Sequence, residues 1–566
     1  MPRSQLDIEV MPNSKKAWAL IAGPVLAFLT YWLMPDQFVN ASGETVAFAH
    51  AGKACAAVTV LMAVWWFTEA LPIAVTAMLP LVLYPILEIA TAGATMKHYA
   101  SGTIFLFLGG FLLAAAIHRW RLDRRIALYT ISLFGTKPNQ MVLGLMLSTA
   151  FISAWVSNTA TAAMMVPIAI AVIGVVRSTQ NSETPSKDEN NFAIAVLLAI
   201  AYAASIGGLA TLVGSPPNGI FARFVEDRYG EPVSFLAWMR VSLPVTLLLL
   251  PATYFVLTKL LFRTKLTGIP GGKEWVKNEI AKLGPMSAGE KVVLVVFALA
   301  AVLWMCGPLV RGFEIDGVRP FKALSDEAIA MGAGLILFMI PIDVKRGVHA
   351  LDWDSTKDVV AWDVLLLFGG GLTMAAAIQA TGLADLIGAQ ASVFAGASRF
   401  SMMLGVSALT TFASEVTSNT ALAATIMPLI AAVCDTLKIS AEGPLFATVI
   451  GASAAFMMPV GTPPNAIVFG TGRLKISDMI KAGFILNIFA IFIGVGCSYF
   501  LGNGILPASL LHLKRRQDHI FQDRLVWKKL VALKYHPDLL ADPGDILRLS
   551  VDGLASECNA SLLYRL

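Results

Sequence analysis

Two copies of one short polar motif lie deep inside apolar sequence, and they carry the residues of this chain best suited to chemistry. The copies are Ser157-Asn158-Thr159 and Ser418-Asn419-Thr420, which lie 261 positions apart. Their hydroxyl and amide groups offer oxygen ligands without a formal charge. Because an ionised side chain at the centre of a membrane costs about 3 kcal/mol, neutral oxygens in an apolar setting predict a site for a hard cation such as sodium.

The same motif is also typical of a helix N-terminus, since serine, asparagine and threonine are preferred capping residues. A helix that begins near Ser157, and its twin near Ser418, would direct free N–H groups and the positive end of the helix dipole toward one point. Two such helix ends predict a receptor for a carboxylate or another oxyanion.

A second paired element follows each motif. Its copies are Gly214-Ser215-Pro216-Pro217-Asn218 and Gly461-Thr462-Pro463-Pro464-Asn465. Consecutive prolines lack N–H donors and interrupt a helix, so carbonyl groups near Gly214 and Gly461 are expected to leave the helical ladder. Unwound backbone at membrane depth is tolerated only where protein covers it or a cavity adjoins it. We therefore predict that each half of the chain forms one cation-binding cup and one half of a shared anion site.

The surrounding sequence is duplicated as well. Phe107 matches Phe368 at the same spacing of 261 positions. The second element recurs after 247 positions, from Gly214 to Gly461, so the first copy is 14 residues longer; the polar connection Ser178–Asn191 is the expected place of the insertion. Internal duplication with Gly/Pro-interrupted hydrophobic segments at matching positions is the sequence mark of a secondary transporter.

The composition places the chain in a membrane. Hydrophobic residues make up 57% of the 566 residues and charged residues 14%, against about 25% charged in a soluble protein. Apolar runs of about 20 residues, the length of a spanning helix, recur throughout. We predict an all-α polytopic membrane protein with about eleven spans and two re-entrant hairpins. The net charge of +5, with basic residues in short loops, favours a bacterial inner (plasma) membrane and no nucleic-acid partner.

The chain divides into five segments on this basis. We expect N-terminal scaffold spans at 1–101, a first repeat with its half of the transport site at 102–262, and an interfacial linker with further scaffold spans at 263–358. A second repeat with the other half-site follows at 359–510, and a hydrophilic C-terminal tail at 511–566. The tail contains no motif that assigns it a role.

The paired Ser-Asn-Thr motifs, together with the segment Trp65–Pro72, resemble the divalent anion/sodium symporters, which carry di- and tricarboxylates and, in some branches, sulfate. The resemblance covers the chain from Trp18 to Leu501. It implies two inverted repeats with re-entrant hairpins and broken helices, a homodimer, and a transport domain that moves as an elevator. It also implies sodium ions as coupling ions, with no other cofactor.

The family motifs carry binding roles to particular positions of this sequence. The resemblance implies a first sodium site at Ser153, Ser157, Asn158 and Gly214. It implies a second sodium site at Ser414, Ser418, Asn419 and Gly461. Substrate carboxylates are expected to contact Asn158, Thr159, Ser215, Pro216, Asn419, Thr420, Thr462 and Pro463.

Glu415 adjoins the second motif, at the position where the first half has Ala154. A carboxylate there could tune a cation site or bind a proton, or it could face a water-filled vestibule, which is the interpretation that we favour from sequence. The repeated motifs themselves contain no titratable side chain, so sodium coupling is favoured over proton coupling.

Three classes of function stay open at this stage. The first is a sodium-coupled symporter that imports C4-dicarboxylates such as succinate, malate and fumarate, with citrate as a further substrate. The second is a di- or tricarboxylate exchanger, or a sulfate or sulfonate transporter, on the same fold. The third is a membrane-embedded enzyme or sensor, but the sequence has no His-Glu-x-x-His motif, nucleophile elbow or intramembrane aspartate pair, which argues against an enzyme. Hydroxyls and helix ends bind any of these oxyanions, so the residues leave the substrate and the number of sodium ions open.

Overall fold

The computed structural model describes residues 13–502 apart from 40–43, 136, 179–185, 231, 267–271, 317, 358, 391–397 and 438. This part of the chain is almost entirely helical, as the sequence predicts. Its strands form two short antiparallel pairs, β1 (Gln37–Val39) with β2 (Thr45–Ala47) and β3 (Pro341–Asp343) with β4 (Val348–His349). The predicted tail at 511–566 lies outside the described residues.

The helices fall into four consecutive groups. The first group comprises α1 (Asn13–Leu33), α2 (His50–Thr68), α3 (Ile73–Ala77), α4 (Leu79–Ile86) and α5 (Ala92–Lys97), followed by a 3₁₀ turn at His98–Ala100. The second comprises α6 (Gly102–Arg119), α7 (Leu122–Phe134), α8 (Pro138–Ser153), α9 (Asn158–Ser178), α10 (Lys187–Leu209), α11 (Pro216–Tyr229) and α12 (Phe235–Phe255), which continues as a π-helix through Val256–Leu261. The third comprises α13 (Gly272–Leu283), α14 (Ala288–Gly312), α15 (Asp326–Met339) and α16 (Trp353–Thr356). The last comprises α17 (Trp362–Ala380), α18 (Leu383–Gln390), α19 (Arg399–Ser414), α20 (Asn419–Thr436), α21 (Glu442–Ser453), α22 (Pro463–Phe469) and α23 (Ile476–Leu501).

Nine helices of the described residues are long and apolar enough to cross a membrane, and two further apolar segments, Trp18–Leu33 and Ile73–Ile86, are shorter. The most enclosed helix is α10, whose residues from Phe192 to Leu209 are all buried. In contrast, α14 exposes most of its apolar surface, including Val295 and Leu309. Because apolar surface of this extent is stable only against lipid or protein, the structure is that of a polytopic membrane protein.

The second and fourth groups of helices are structural repeats. In order, α6 corresponds to α17, the pair α8–α9 to α19–α20, and the interrupted helix α10–α11 to α21–α22. Equivalent residues of the two repeats meet directly, because the rings of Phe107 and Phe368 lie 4.9 Å apart, edge to face. The duplication predicted from residue spacing is therefore a duplication of structure.

Paired glycines let the repeats approach their neighbours closely. A Cβ atom on Gly109 of α6 would lie 2.4 Å from the backbone of Ala330 in α15. A Cβ atom on the equivalent Gly370 of α17 would lie 2.4 Å from the carbonyl oxygen of Ala77 in α3. Small residues of this kind are what allow helices to pack backbone to backbone in membranes.

The two repeats are inverted relative to each other. Between α6 and α17 the chain forms the long apolar helices α9, α10, α12 and α14, and the shorter helix α15 packs on α6. The pairs α8–α9 and α19–α20 are hairpins whose arms pack together, so each returns to the side on which it starts.

The first repeat gains most of its additional residues in a helix rather than in a connection. Helix α10 has 23 residues and its counterpart α21 has 12. With Gly214 and Gly461 taken as equivalent, α10 begins eight residues earlier than α21, which accounts for 8 of the 14 additional residues. The expected insertion at Ser178–Asn191 thus already includes the first turn of α10. A capping box explains this start: Glu189 N–H donates to Ser186 Oγ at 3.3 Å, and Ser186 N–H donates to the Glu189 carboxylate at 2.7 Å.

Helices α7 and α13 are short and amphipathic and pack on each other beside the spans. Arg124 of α7 bonds Glu279 of α13 at 2.8 Å, and Lys282 bonds the other Glu279 oxygen at 2.6 Å. The hydrogen bond from Lys282, with a smaller contribution from Arg124, lowers the pKa of the Glu279 carboxyl. Next to them, Arg125 forms a buried two-pronged ion pair with Glu290 at the start of α14.

Candidate functional site

Each Ser-Asn-Thr motif lies at the tip of a helical hairpin, where one helix ends and the next begins. Helix α9 begins at Asn158 and α20 at Asn419. Ser157 Oγ accepts a hydrogen bond from the backbone N–H three residues on at 3.3 Å, and Ser418 Oγ accepts the equivalent bond at 3.5 Å. The predicted helix starts and their capping serines are therefore confirmed.

Ser153 and Asn158 join the first hairpin tip to the break between α10 and α11. Ser153 is fully buried, and its Oγ donates to the carbonyl of Ala204 at 2.7 Å and lies 2.7 Å from the Asn158 amide. The Asn158 amide satisfies its hydrogen bonds when its nitrogen faces the carbonyl oxygens of Ala204 and Gly214, at 3.1 and 3.2 Å. A hydroxyl, an amide and two backbone carbonyls thus meet at one point. A sodium ion bound there would require the Asn158 amide to turn its oxygen, rather than its nitrogen, toward the carbonyls.

The second hairpin repeats this arrangement. Ser414 Oγ donates to the carbonyl of Ala452 at 2.6 Å and lies 2.7 Å from the amide oxygen of Asn419. Gly461 lies in the break between α21 and α22, where a Cβ atom would lie 3.2 Å from Oε2 of Glu415. The structure therefore joins Ser153, Asn158 and Gly214 in the first half and Ser414 and Asn419 in the second, and these contacts run within each half.

The asparagines that end the two Pro-Pro-Asn elements hold the helix breaks, a role that sequence reasoning missed. Nδ2 of Asn218 donates to the carbonyls ten and seven residues before it, at 2.9 and 2.7 Å. Nδ2 of Asn465 donates to the equivalent two carbonyls, at 3.1 and 3.0 Å. Because each amide bridges the unwound segment, it fixes the directions of the carbonyls left free there. The signal was available in the sequence, since both asparagines belong to the repeated element.

The Pro-Pro elements start two further helices. Helix α11 begins at Pro216 and α22 at Pro463, a position where the missing proline N–H costs nothing. The preceding Ser215 and Thr462 are both 4% exposed. Thr462 Oγ1 also accepts a hydrogen bond from the backbone N–H of Asn465 at 3.4 Å.

At this site the helices of the two repeats pack on each other, an arrangement that we call crossed packing. Helix α22 packs on α9, and α11 packs on α20, so each Pro-Pro helix lies against the hairpin of the other repeat. Four helix N-termini belong to this arrangement, and each carries about half a positive charge. None of the predicted site residues is cationic, so the groups that they offer to an anion are backbone N–H groups, hydroxyls and amides. The two halves differ in solvent exposure, because Thr159 is exposed and its equivalent Thr420 is buried.

Glu415 is buried, so the expectation that it faces a water-filled vestibule is wrong. Its side chain is 4% exposed. Oε1 accepts hydrogen bonds from Phe456 N–H at 2.8 Å and from Asn487 Nδ2 at 2.6 Å. These partners lie 41 and 72 residues along the chain, which is why local sequence did not indicate them.

Trp155, at the tip of the first hairpin, packs into an aromatic stack. Its ring lies nearly parallel to those of Phe235, at 5.9 Å, and Trp304, at 6.3 Å. The ring of Phe297 meets it edge-on at 5.1 Å. The equivalent residue of the second hairpin is Val416, which is 68% exposed. In this conformation the first tip is therefore anchored on α14, and the second is not anchored in this way.

Two sizeable cavities lie away from these residues. One, of about 480 Å³, lies between the end of α9, the start of α10 and the connection before α23, beside Arg177, Glu189 and Arg473. The other, of about 460 Å³, lies between α7, α9 and α13. Neither is lined by a predicted site residue. The candidate site is therefore marked by its duplicated hydrogen-bond geometry rather than by either of these cavities.

These observations define the class of protein: a polytopic helical membrane protein built from inverted repeats with interrupted helices is a secondary transporter. The family model described as the sodium:sulfate symporter transmembrane region matches residues 14–504, and the chain belongs to this family of sodium-coupled anion symporters. The resemblance inferred from the motifs is confirmed, and the protein is a transporter rather than an enzyme.

Characterised relatives include the sodium-dependent dicarboxylate transporter SdcS of Staphylococcus saprophyticus, which is 38% identical over 483 residues, 85% of this chain and 90% of the relative. SdcS of Staphylococcus aureus strain MRSA252 is 37% identical over 85% of this chain and 90% of that relative. Among solved structures, the YdaH transporter of Alcanivorax borkumensis has a TM-score of 0.53 at 14% identity, over 87% of this chain and 98% of that chain. That likeness concerns the fold alone.

Proposed function

We propose that the protein is a sodium-coupled symporter that imports C4-dicarboxylates, such as succinate, malate and fumarate, together with at least two sodium ions. The observation that carries the proposal is the duplicated cup, in which a buried serine hydroxyl lies 2.7 Å from an asparagine amide beside a helix break. The relatives named sodium-dependent dicarboxylate transporters support the same coupling ion and substrate class.

One sodium ion is assigned to each cup. The proposed ligands of the first are Ser153, Ser157, Asn158 and Gly214. Those of the second are Ser414, Ser418, Asn419 and Gly461. The two ions balance the two charges of a dicarboxylate in a site that offers no cationic side chain. Because an unbalanced dianion at this depth would meet only helix ends, substrate binding depends on sodium, and this dependence is the coupling.

The substrate is assigned to the crossed helix N-termini. One carboxylate would contact Asn158, Thr159, Ser215 and Pro216. The other would contact Asn419, Thr420, Thr462 and Pro463. An anion with two carboxylates can engage both half-sites at once, whereas a single sulfate has one charged centre. The duplication therefore favours dicarboxylates over sulfate, with citrate as a further substrate.

We further propose that transport proceeds by an elevator movement in a homodimer in the bacterial inner (plasma) membrane. The crossed packing supports this, because it joins the hairpins and interrupted helices of both repeats into one unit that can move as a body. The segments 1–101 and 263–358 would supply the fixed scaffold, and the repeats at 102–262 and 359–510 the mobile half-sites.

Uptake of radiolabelled succinate into proteoliposomes tests the proposal. We expect uptake under an inward sodium gradient, a fall to background when potassium replaces sodium, and strong competition by malate and fumarate but weak competition by sulfate. Uptake that ignores sodium but requires internal dicarboxylate would show an exchanger. Absence of succinate uptake, with sodium-dependent sulfate uptake by the same preparation, would show a sulfate carrier.

A further inference from the structure

Glu415 breaks the symmetry between the two halves of the site. Its Oε1 accepts hydrogen bonds from Phe456 N–H at 2.8 Å, Met457 N–H at 3.0 Å and Asn487 Nδ2 at 2.6 Å. Its Oε2 accepts from Met457 N–H at 3.0 Å and from Met458 N–H at 2.9 Å. One carboxyl group therefore gathers three consecutive backbone donors of the break between α21 and α22.

These contacts are of the kind that an ionised carboxylate accepts. Every one of them places a donor on a carboxyl oxygen, whereas a carboxylic acid would also need an acceptor for its own proton. Among the ion pairs of the residues that the structure describes, none includes Glu415. A buried charge without an ionic partner is costly, so a cation bound nearby would stabilise it.

The carboxylate also explains why the second helix breaks earlier than the first. When Gly214 and Gly461 are taken as equivalent, the end of α10 at Leu209 corresponds to Phe456, yet α21 ends at Ser453. Because Glu415 takes the N–H groups of residues 456–458, those groups cannot continue the helix. The carbonyls of the last turn of α21 are left without helical partners.

In the first half, the position equivalent to Glu415 has no ionisable side chain. There the Thr211 hydroxyl donates to the carbonyl of Ala154, the residue equivalent to Glu415. A Cβ atom on Gly214 would lie 2.9 Å from that neutral carbonyl oxygen, whereas one on Gly461 would lie 3.2 Å from Oε2 of Glu415. The first cup therefore adjoins a backbone carbonyl, and the second adjoins a carboxyl group.

We propose that Glu415 is a positioning residue that makes the two sodium sites unequal. It holds the break between α21 and α22 open, and its charge makes the second cup bind sodium more tightly, and therefore first, as the sodium concentration rises. This inference rests on the proposed sodium coupling and extends it by assigning an order to the two ions.

Sodium-dependent thermal stabilisation of the purified transporter, without substrate, tests this order. Sodium is exchanged for choline at constant ionic strength, and the unfolding midpoint is followed against sodium concentration. In the wild type we expect a tighter and a weaker component. Glu415→Gln keeps the shape but removes the charge, and should raise the concentration for the tighter component by at least about tenfold. Glu415→Asp, which keeps the charge, should bring the sodium concentration for the tighter component much of the way back to its wild-type value.

Asn487→Ala is the matched control, because it removes one neutral donor from the same carboxylate and leaves the charge in place. It should shift the tighter component less than Glu415→Gln does. A Glu415→Gln variant with the wild-type sodium dependence, or an Asp variant as weak as the Gln variant, would overturn the inference.

A second comparison does not depend on variants of Glu415. Ser414→Ala should remove the tighter component and Ser153→Ala the weaker one; the reverse assignment would overturn the proposed order. If the wild type showed no sodium-specific stabilisation at all, the proposed sodium coupling would fail with it. Sodium stabilisation that is present but insensitive to Glu415→Gln would defeat the inference about Glu415 alone.

Discussion

Asn158→Ala and Asn419→Ala should each lower sodium-dependent succinate uptake by about 30- to 150-fold at limiting sodium. Each amide lies 2.7 Å from the buried serine of its cup and is proposed to contact both sodium and a substrate carboxylate. Loss of a hydrogen bond to a charged group, together with buried partners left unpaired, costs about 2–3 kcal/mol, and about 1.4 kcal/mol corresponds to a factor of ten.

The sodium dependence of uptake separates this effect from general damage. Both variants should need a higher sodium concentration for half-maximal uptake while they still purify as monodisperse protein in detergent. Asn139→Ala is the control, since Asn139 lies on the same hairpin at the far end of α8 and should leave uptake unchanged. Wild-type uptake by either site variant would remove its asparagine from the proposed site.

Arg125→Ala should destabilise the folded transporter by about 3–5 kcal/mol, because it leaves Glu290 buried without its partner. The side chains of Arg125 and Glu290 are 8% and 7% exposed. Arg125 also donates to the carbonyl of Gly284 at 3.1 Å, so its loss detaches α7 from the connection between α13 and α14. Thermal unfolding in detergent, monitored by the loss of monodisperse protein, measures the effect.

Arg319→Ala is the matched control for this ion pair. Arg319 bonds Glu314 at 2.9 Å, but their side chains are 53% and 46% exposed, and exposed pairs contribute at most about 1 kcal/mol. The double variant Arg125→Leu/Glu290→Leu should recover part of the lost stability, because it removes the unpaired charge. An Arg125→Ala variant no less stable than Arg319→Ala would contradict the assignment of a buried pair.

Local signals in the sequence predicted the parts of the site that depend on local structure. Ser157 and Ser418 mark helix starts because capping is decided within one turn of backbone. The Pro-Pro elements mark helix breaks because proline lacks the N–H that a helix needs. Spacing alone then showed that both features occur twice, and the contact between Phe107 and Phe368 is the spatial counterpart of that spacing.

Features that depend on distant partners could not be predicted in this way. Glu415 was assigned to a vestibule because its four donors lie in other segments, beyond any local pattern. The polar start of α10 was interpreted as a connection, although Ser186 and Glu189 form a capping box there. The crossed packing of α22 on α9 and of α11 on α20 depends on the tertiary fold, which residue spacing does not specify.

The measurement that tests the central claim most directly is the accumulation of succinate by proteoliposomes under a fixed sodium gradient with the membrane voltage clamped to zero. A tenfold gradient supplies about 1.4 kcal/mol per sodium ion, so two coupled ions can concentrate succinate about a hundredfold. With a tenfold gradient we predict steady-state accumulation well above tenfold that approaches this limit of about a hundredfold. Accumulation limited to about tenfold would leave only one coupled ion, and none at all would contradict a sodium symporter with two paired sites.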